Sequence, residues 1–145
     1  MSEAPVFVTV SRPLPVVPEA AFEAWLTPEL IGQWMFGPHL RPEEVVSIAL
    51  DARVGGAFSF VVRRNGEEFD HVGEYLEIER PARLGFTWGI RNGDSSRVLL
   101  DFAPEESGTL LTLTHELHPD WAHFASRTAE GWDTLLHALA ARLEA

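Results

Sequence analysis

A change of hydrophobic period divides the chain and constrains its fold more than any other feature. Between residues 45 and 117, apolar residues alternate with polar ones in successive short runs, as in Leu84, Phe86 and Trp88. A period of two is typical of antiparallel strands that bury one face. From Trp121 to Leu143 the period becomes 3.6, which predicts an amphipathic helix of about 23 residues. A sheet followed by a long helix is therefore expected.

The chain before residue 45 predicts one strand and two short helices. Residues 6–11 are β-branched and extended, and prolines then stop the strand. Pro18 and Pro28 suit the first position of a helix, and Thr27 is expected to cap the second helix with its hydroxyl. Gly37-Pro38 is expected to end it. Turn signals separate the later strands: Gly55-Gly56, where Asp51 and Arg53 should form a stabilising pair, Asn65-Gly66, Arg80-Pro81, Asn92-Gly93 and Ser107-Gly108.

The resulting order predicts an α+β helix-grip architecture. One strand, two short helices, six strands and a long helix would give a curved antiparallel sheet of six to seven strands wrapped around the C-terminal helix. The 145 residues are enough for one core, so residues 1–145 are expected to form a single ligand-binding domain. A bent sheet and a straight helix diverge at one end, which favours a cavity there.

Composition excludes several classes of function. With 22 acidic and 11 basic residues the net charge is −11, so nucleic acids and anionic membranes are poor partners. The chain has no cysteine, no apolar run of the roughly 20 residues that a membrane span needs, and no basic, apolar leader at its start. A cytoplasmic location is therefore expected. Metal-ligand spacings and phosphate-binding loops are missing, so neither a metal nor another cofactor is expected.

Several motifs, taken in order, resemble the START-like helix-grip (SRPBCC) superfamily, in particular the branch of homologues of the activator of the heat-shock-protein-90 ATPase (AHSA-like). They span nearly the whole chain and comprise residues 21–29 (AFEAWLTPE), 34–38 (WMFGP), 51–56 (DARVGG), 73–78 (GEYLEI), 81–88 (PARLGFTW), 108–115 (GTLLTLTH) and 131–136 (GWDTLL). The resemblance implies the helix-grip fold. It also implies a choice among ligand carriers, cyclases or aromatases, and chaperone activators.

Aromatic side chains dominate the faces that are predicted to point inward. With Thr128, they form the expected ligand-binding set: Trp34, Phe36, Phe58, Phe60, Trp88, Trp121, Phe124, Thr128 and Trp132. Two ionisable residues stand on otherwise apolar strand faces: Glu74 among Val72, Leu76 and Ile78, and His115 between Leu113 and Leu117. They are expected to orient a ligand, or to act as general base and acid. His71 is placed on the opposite face from Glu74 and ranks below it.

These observations favour binding of a small, largely apolar molecule, aromatic or lipid-like, between the sheet and the C-terminal helix. One alternative is a cyclase, aromatase or hydrolase that uses Glu74 and His115 in the same cavity. Another is a module that contacts a chaperone, which rests on the family resemblance alone. Formation of a homodimer is a further alternative, which no feature of the sequence supports.

Overall fold

The described residues form seven strands, three α-helices and one 3-10 helix. The computed structural model describes residues 4–37, 40, 42–91, 93 and 95–144. In chain order the elements are β1 Val6–Leu14, α1 Pro18–Glu23, α2 Pro28–Trp34, β2 Glu44–Leu50, β3 Ala57–Arg64, β4 Glu67–Glu79, β5 Arg83–Ile90, β6 Ser95–Glu105, β7 Gly108–Leu117, a 3-10 helix Pro119–Phe124, and α3 Ala125–Glu144.

The strands form one antiparallel sheet in the order β1-β7-β6-β5-β4-β3-β2. Strands β2 to β7 are a meander in which each strand pairs with the next, and β1 adds beside β7. The sheet is curved and open, with α3 packed against its concave face, and two short helices precede β2. The predicted α+β helix-grip architecture is confirmed.

The short helices differ from the prediction in one detail. Pro18 and Pro28 occupy the first turns of α1 and α2, as expected. The Thr27 hydroxyl, however, donates a hydrogen bond to the Glu23 carbonyl oxygen at 2.7 Å and does not cap α2. Thr27 thus ties the start of α2 to the end of α1. Of the predicted stop signals, Pro38 and Asn92 lie outside the described residues.

The C-terminal helix is shorter than predicted. The expected single helix from Trp121 is divided into the 3-10 helix and α3, which has 20 residues. Pro119 begins the 3-10 helix, and the Trp121 amide donates to the His118 carbonyl at 2.8 Å. The tighter turn changes the direction of Trp121, which is 44% exposed. Only the later part of the stripe, at Trp132, Leu136 and Leu139, is fully buried.

Strand β4 has the opposite phase from the one predicted at Glu74. Phe58 and Phe60 point inward, and their cross-strand partners on β4 are Gly73 and His71. Because directly opposed residues share a face of the sheet, Glu74 points outward, and it is exposed. The prediction placed Glu74 on one face with Val72, Leu76 and Ile78, and of these Ile78 faces inward opposite Leu84. A bulge between Tyr75 and Glu77 shifts the phase between Glu74 and Ile78.

Candidate functional site

The middle of the concave face is a packed aromatic core and leaves no room for a ligand. Phe58 lies 4.7 Å from Phe60, 5.8 Å from Phe86 and 5.9 Å from Trp88, measured between ring centroids. The space left among these rings, together with Trp25 and Tyr75, has a volume of about 10 Å³. A single water needs about that much. Phe58 and Phe60, which the sequence predicted to line a ligand cavity, are packed against neighbouring rings in this structure.

Trp34 and Phe36 belong to the same core. Trp34 is fully buried, and its indole N–H donates to the Ala24 carbonyl oxygen at 3.0 Å. The Phe36 ring packs 6.0 Å from Phe60 and 4.9 Å from the His71 ring. Trp34 joins α2 to the end of α1, and Phe36 packs on the sheet, so this packing accounts for their positions without a ligand.

An open cleft of about 900 Å³ lies at one end of the sheet. Its walls are the end of β5, the start of β6, the end of β7 and the 3-10 helix. The apolar lining comes from Trp88, Ile90, Leu117 and Trp121. This volume falls within the range of small-molecule sites. The sequence predicted a cavity between the sheet and a long C-terminal helix. Of that predicted helix, Trp121 lines the cleft, and α3 contributes none of the described lining residues.

Small residues create the cleft. Gly89, Gly93, Ser95 and Ser96 line it. Ser96 holds an inward position on β6, where Val98 and Leu100 fill the middle of the sheet. Ile90 and Trp121 are consequently left 42% and 44% exposed. Large apolar side chains clustered at a concave surface are typical of a binding site, whereas single exposed ones are not.

A chain of three polar side chains leads from α3 to the cleft. The Trp132 indole N–H donates to Nδ1 of His115 at 2.9 Å, and Nε2 of His115 lies 2.5 Å from the Ser96 hydroxyl oxygen. Burial lowers the pKa of His115 to about 4, so the ring is neutral near pH 7. Ser96 is half-buried and borders the cleft, as well as an adjoining groove of about 440 Å³.

The rim of the cleft carries a negative charge. Asp120 and His118 line it, and the Asp120 amide donates to Nδ1 of His118 at 3.1 Å. Arg97 lines the adjoining groove, where its side chain lies 3.9 Å from Glu116. The cleft thus combines an apolar floor, one hydroxyl and an acidic edge.

The predicted site residues are divided by the structure into separate groups. Trp88 and Trp121 line the cleft, and His115 and Trp132 support it from behind through Ser96. Phe124 and Thr128 are half-buried near the start of α3, where the Phe124 ring lies 5.4 Å from that of Trp121. Glu74 and His115 lie on opposite faces of the sheet, so the expected acid–base pair is not brought together.

Sequence reasoning missed Ser96 and gave too little weight to His71. Ser96 shares the inward face of β6 with Val98, Leu100 and Phe102, so a polar residue in an apolar run was a readable signal. His71 is buried, and its Nδ1–H donates to the Phe60 carbonyl oxygen at 3.1 Å. Its ring lies 5.5 Å from that of Trp88, which makes it part of the wall between core and cleft.

The described residues contain neither a cluster of metal-binding side chains nor a helix suited to span a membrane. Across residues 4–37, 40, 42–91, 93 and 95–144, no group of three or more histidine, aspartate or glutamate side chains is placed to hold a metal ion. None of the helices within those ranges has both the length and the apolar character for crossing a membrane.

Comparison with known proteins gives a family and a fold. The family model described as "Activator of Hsp90 ATPase homolog 1-like protein" matches residues 15–144. No curated protein matches the chain. A crystal structure from Chromobacterium violaceum is 26% identical, covers 96% of this chain and 98% of its own, and has a TM-score of 0.80.

Two further structures share the fold. A crystal structure from Nitrosomonas europaea is 23% identical with a TM-score of 0.82, and the match covers 96% of this chain and 94% of that one. A solution structure of an AHSA1-like protein from Aeromonas hydrophila is 23% identical with a TM-score of 0.79, covering 96% and 92% respectively.

Proposed function

Because the chain belongs to the family of Activator of Hsp90 ATPase homolog 1-like proteins, whose fold is known for a ligand-binding cavity, we propose that it binds a small, largely apolar molecule. The observation that carries this proposal is the open cleft of about 900 Å³ between the sheet end and the 3-10 helix. Trp88, Ile90 and Trp121 offer it apolar surface that the protein itself leaves uncovered.

The energetics support an apolar ligand. Covering about 100 Å² of apolar surface contributes roughly 2.5 kcal/mol, before the cost of association. Two indole rings, those of Trp88 and Trp121, favour an aromatic or flat ligand, because ring pairs contribute beyond the area that they bury. Packed rings close the core behind Trp88, which supports binding at the end of the sheet rather than in its middle.

The enzyme hypothesis required Glu74 and His115 to share one cavity, and they lie on opposite faces of the sheet. Glu74 is on the outer face, and His115 carries its ring inward on β7. His115 also accepts from Trp132 at Nδ1, which leaves its proton on the nitrogen that faces Ser96. A base cannot withdraw a proton with a nitrogen that is already protonated. The chaperone-contact hypothesis stays a prediction, tested by the effect of the protein on the ATPase rate of the chaperone.

Titration with 2-isopropylnaphthalene, followed in ¹H–¹⁵N NMR spectra of the tryptophan indoles, tests the proposal. The Trp88 and Trp121 signals should shift, whereas that of Trp34, buried and bonded to Ala24, should not. Absence of any shift, or a uniform shift of every indole, would contradict binding in the cleft.

A matched pair of variants locates the site. Ile90 in the cleft and Val46 on β2 are both 42% exposed. Ile90→Ala should weaken binding of 2-isopropylnaphthalene about fivefold, because about 1 kcal/mol of apolar contact is lost. Val46→Ala should leave the affinity unchanged. Equal effects of the two substitutions would place the probe elsewhere on the surface.

A further inference from the structure

The hydrogen-bond chain from Trp132 to Ser96 has a fixed direction. An indole N–H can only donate, so Nδ1 of His115 must accept at 2.9 Å. A neutral imidazole that accepts at Nδ1 carries its proton on Nε2. Nε2 lies 2.5 Å from the Ser96 oxygen, which is therefore the acceptor of that proton. The position of Trp132 thus determines the role of Ser96.

The Ser96 hydroxyl proton is left available to the cleft. A serine hydroxyl has one hydrogen, and its oxygen already accepts from His115. In the part of the chain that the structure describes, the Ser96 side chain has no other hydrogen-bond partner. Ser96 borders both the cleft and the groove beside it, so a bound molecule can reach this hydrogen. A ligand that supplies an acceptor there would complete the chain.

The charges around the cleft restrict which hydrogen-bond acceptors a ligand can bring to Ser96. Asp120 lies on the rim, and none of the described residues that line the cleft is lysine or arginine. The three donors in the chain are neutral, since burial keeps the pKa of His115 near 4. An anion that enters the cleft would lose its hydration and lie near the Asp120 carboxylate. It would gain one hydrogen bond, from the neutral Ser96 hydroxyl. A carbonyl oxygen loses far less on entry.

We propose that the cleft selects an uncharged apolar molecule with a hydrogen-bond acceptor oxygen, such as a ketone, ester or amide carbonyl, held by the Ser96 hydroxyl. This inference rests on the proposed function, because it needs a ligand in the cleft. Trp132 and His115 act as positioning residues, and Ser96 is the group that touches the ligand.

Three naphthalene probes of similar size test the inference: 2-acetylnaphthalene, 2-isopropylnaphthalene and 2-naphthoate. The first has a neutral acceptor, the second has none, and the third is an anion at pH 7. The ratio of the first two affinities is compared between variants, so that their different solubility in water cancels. Ser96→Ala should reduce the preference for the acetyl compound about fivefold, the effect of one neutral hydrogen bond.

The control is Ser47→Ala, an exposed serine on β2 at the far edge of the sheet, which should leave the ratio unchanged. Wild-type protein should bind 2-naphthoate at least tenfold more weakly than 2-acetylnaphthalene. Tighter binding of the anion would overturn the selection of uncharged ligands and indicate Arg97. An equal ratio in wild type and Ser96→Ala would overturn the role of Ser96 but leave the proposed function intact. Failure of all three probes to bind would overturn both.

The hydrogen-bond direction can be tested without any ligand. Long-range ¹H–¹⁵N spectra of the wild-type protein at pH 7 should show His115 as a neutral ring protonated at Nε2. In Trp132→Phe, which removes the donor to Nδ1, the ring is free to adopt the other tautomer, and the preference for 2-acetylnaphthalene should fall although Ser96 is intact. A wild-type ring protonated at Nδ1 would overturn the proposal.

Discussion

The middle of the concave face and its open end are built from the same strands but have opposite character. In the middle, Phe58, Phe60 and Phe86 pack on one another and leave about 10 Å³. At the end, Ser96 stands opposite Trp88 in place of a large apolar side chain, and about 900 Å³ is open. Trp88 borders both regions. Inward aromatic residues therefore indicate a core, whereas a site begins where a small polar residue replaces them.

The largest expected effect is on the free energy of unfolding when a ring is removed from the packed middle of the sheet. Phe58→Ala should lower the free energy of unfolding by about 3–5 kcal/mol, because it removes a buried ring that touches several others. Phe7→Ala, on the outer face and 58% exposed, is the matched control and should cost less than about 1 kcal/mol. Urea denaturation measures both. Similar costs for the two would mean that the middle of the sheet is loosely packed.

Acidification should destabilise the protein through His115, whose buried ring supports the cleft from behind. The pKa of His115 is about 4 in the folded protein and 6.5 for the free side chain. The unfolded chain therefore binds the extra proton first, and the free energy of unfolding should fall by about 3 kcal/mol as the pH drops from 6.5 to 4. Above pH 6.5 this contribution is fully present.

The His115 contribution is separated from that of the carboxylates by comparing variants. The difference in unfolding free energy between wild type and His115→Gln should shrink over that pH interval. Phe7→Ala removes no ionisable group, so its pH dependence should match that of wild type. A wild-type profile that is parallel to that of His115→Gln would contradict the buried, neutral ring.

Removing the shared wall should merge the two regions. Trp88→Ala should destabilise the protein by about 2 kcal/mol, less than Phe58→Ala, because Trp88 is only half-buried. The cleft would then extend toward Phe58 and Phe60, so a longer probe such as 2-phenylnaphthalene should gain affinity relative to 2-isopropylnaphthalene. Calorimetric titration checks this. An unchanged ratio of affinities would mean that the core closes over the gap.

The smallest effect on stability should come from the open end itself. Trp121→Ala should change the free energy of unfolding by no more than about 1 kcal/mol, since its ring is 44% exposed. The same substitution should weaken binding of 2-isopropylnaphthalene about tenfold, because the ring forms one wall of the cleft. A large loss of stability with unchanged affinity would make Trp121 a core residue and reverse the comparison.

The fold was predictable because it depends on hydrophobic period. Alternation at Leu84, Phe86 and Trp88 on β5, and at Leu111, Leu113 and His115 on β7, gave the inward faces that the structure has. The phase of β4 was not predictable, because Val72 and Leu76 are apolar yet face outward, and the bulge after Tyr75 has no local signature. Glu74 was misplaced for that reason.

The site was only partly predictable, because a cavity forms where large side chains are absent from the inward face of the sheet. Trp88 and Trp121 were named for their aromatic rings, and the same reasoning also named Phe58 and Trp34, which are core residues. The order of the motifs predicted a cavity between sheet and helix, but the sequence does not state at which end of the strands it opens. That position depends on how far Trp132 and the 3-10 helix follow the curve of the sheet.

The central claim is that a ligand occupies the open end and not the aromatic middle. Intermolecular nuclear Overhauser effects between unlabelled 2-isopropylnaphthalene and ¹³C,¹⁵N-labelled protein test it most directly. The account predicts contacts to Ile90, Leu117 and Trp121, with none to Phe58 or Phe60. Contacts to Phe58 and Phe60 without contacts to Ile90 and Trp121 would contradict it.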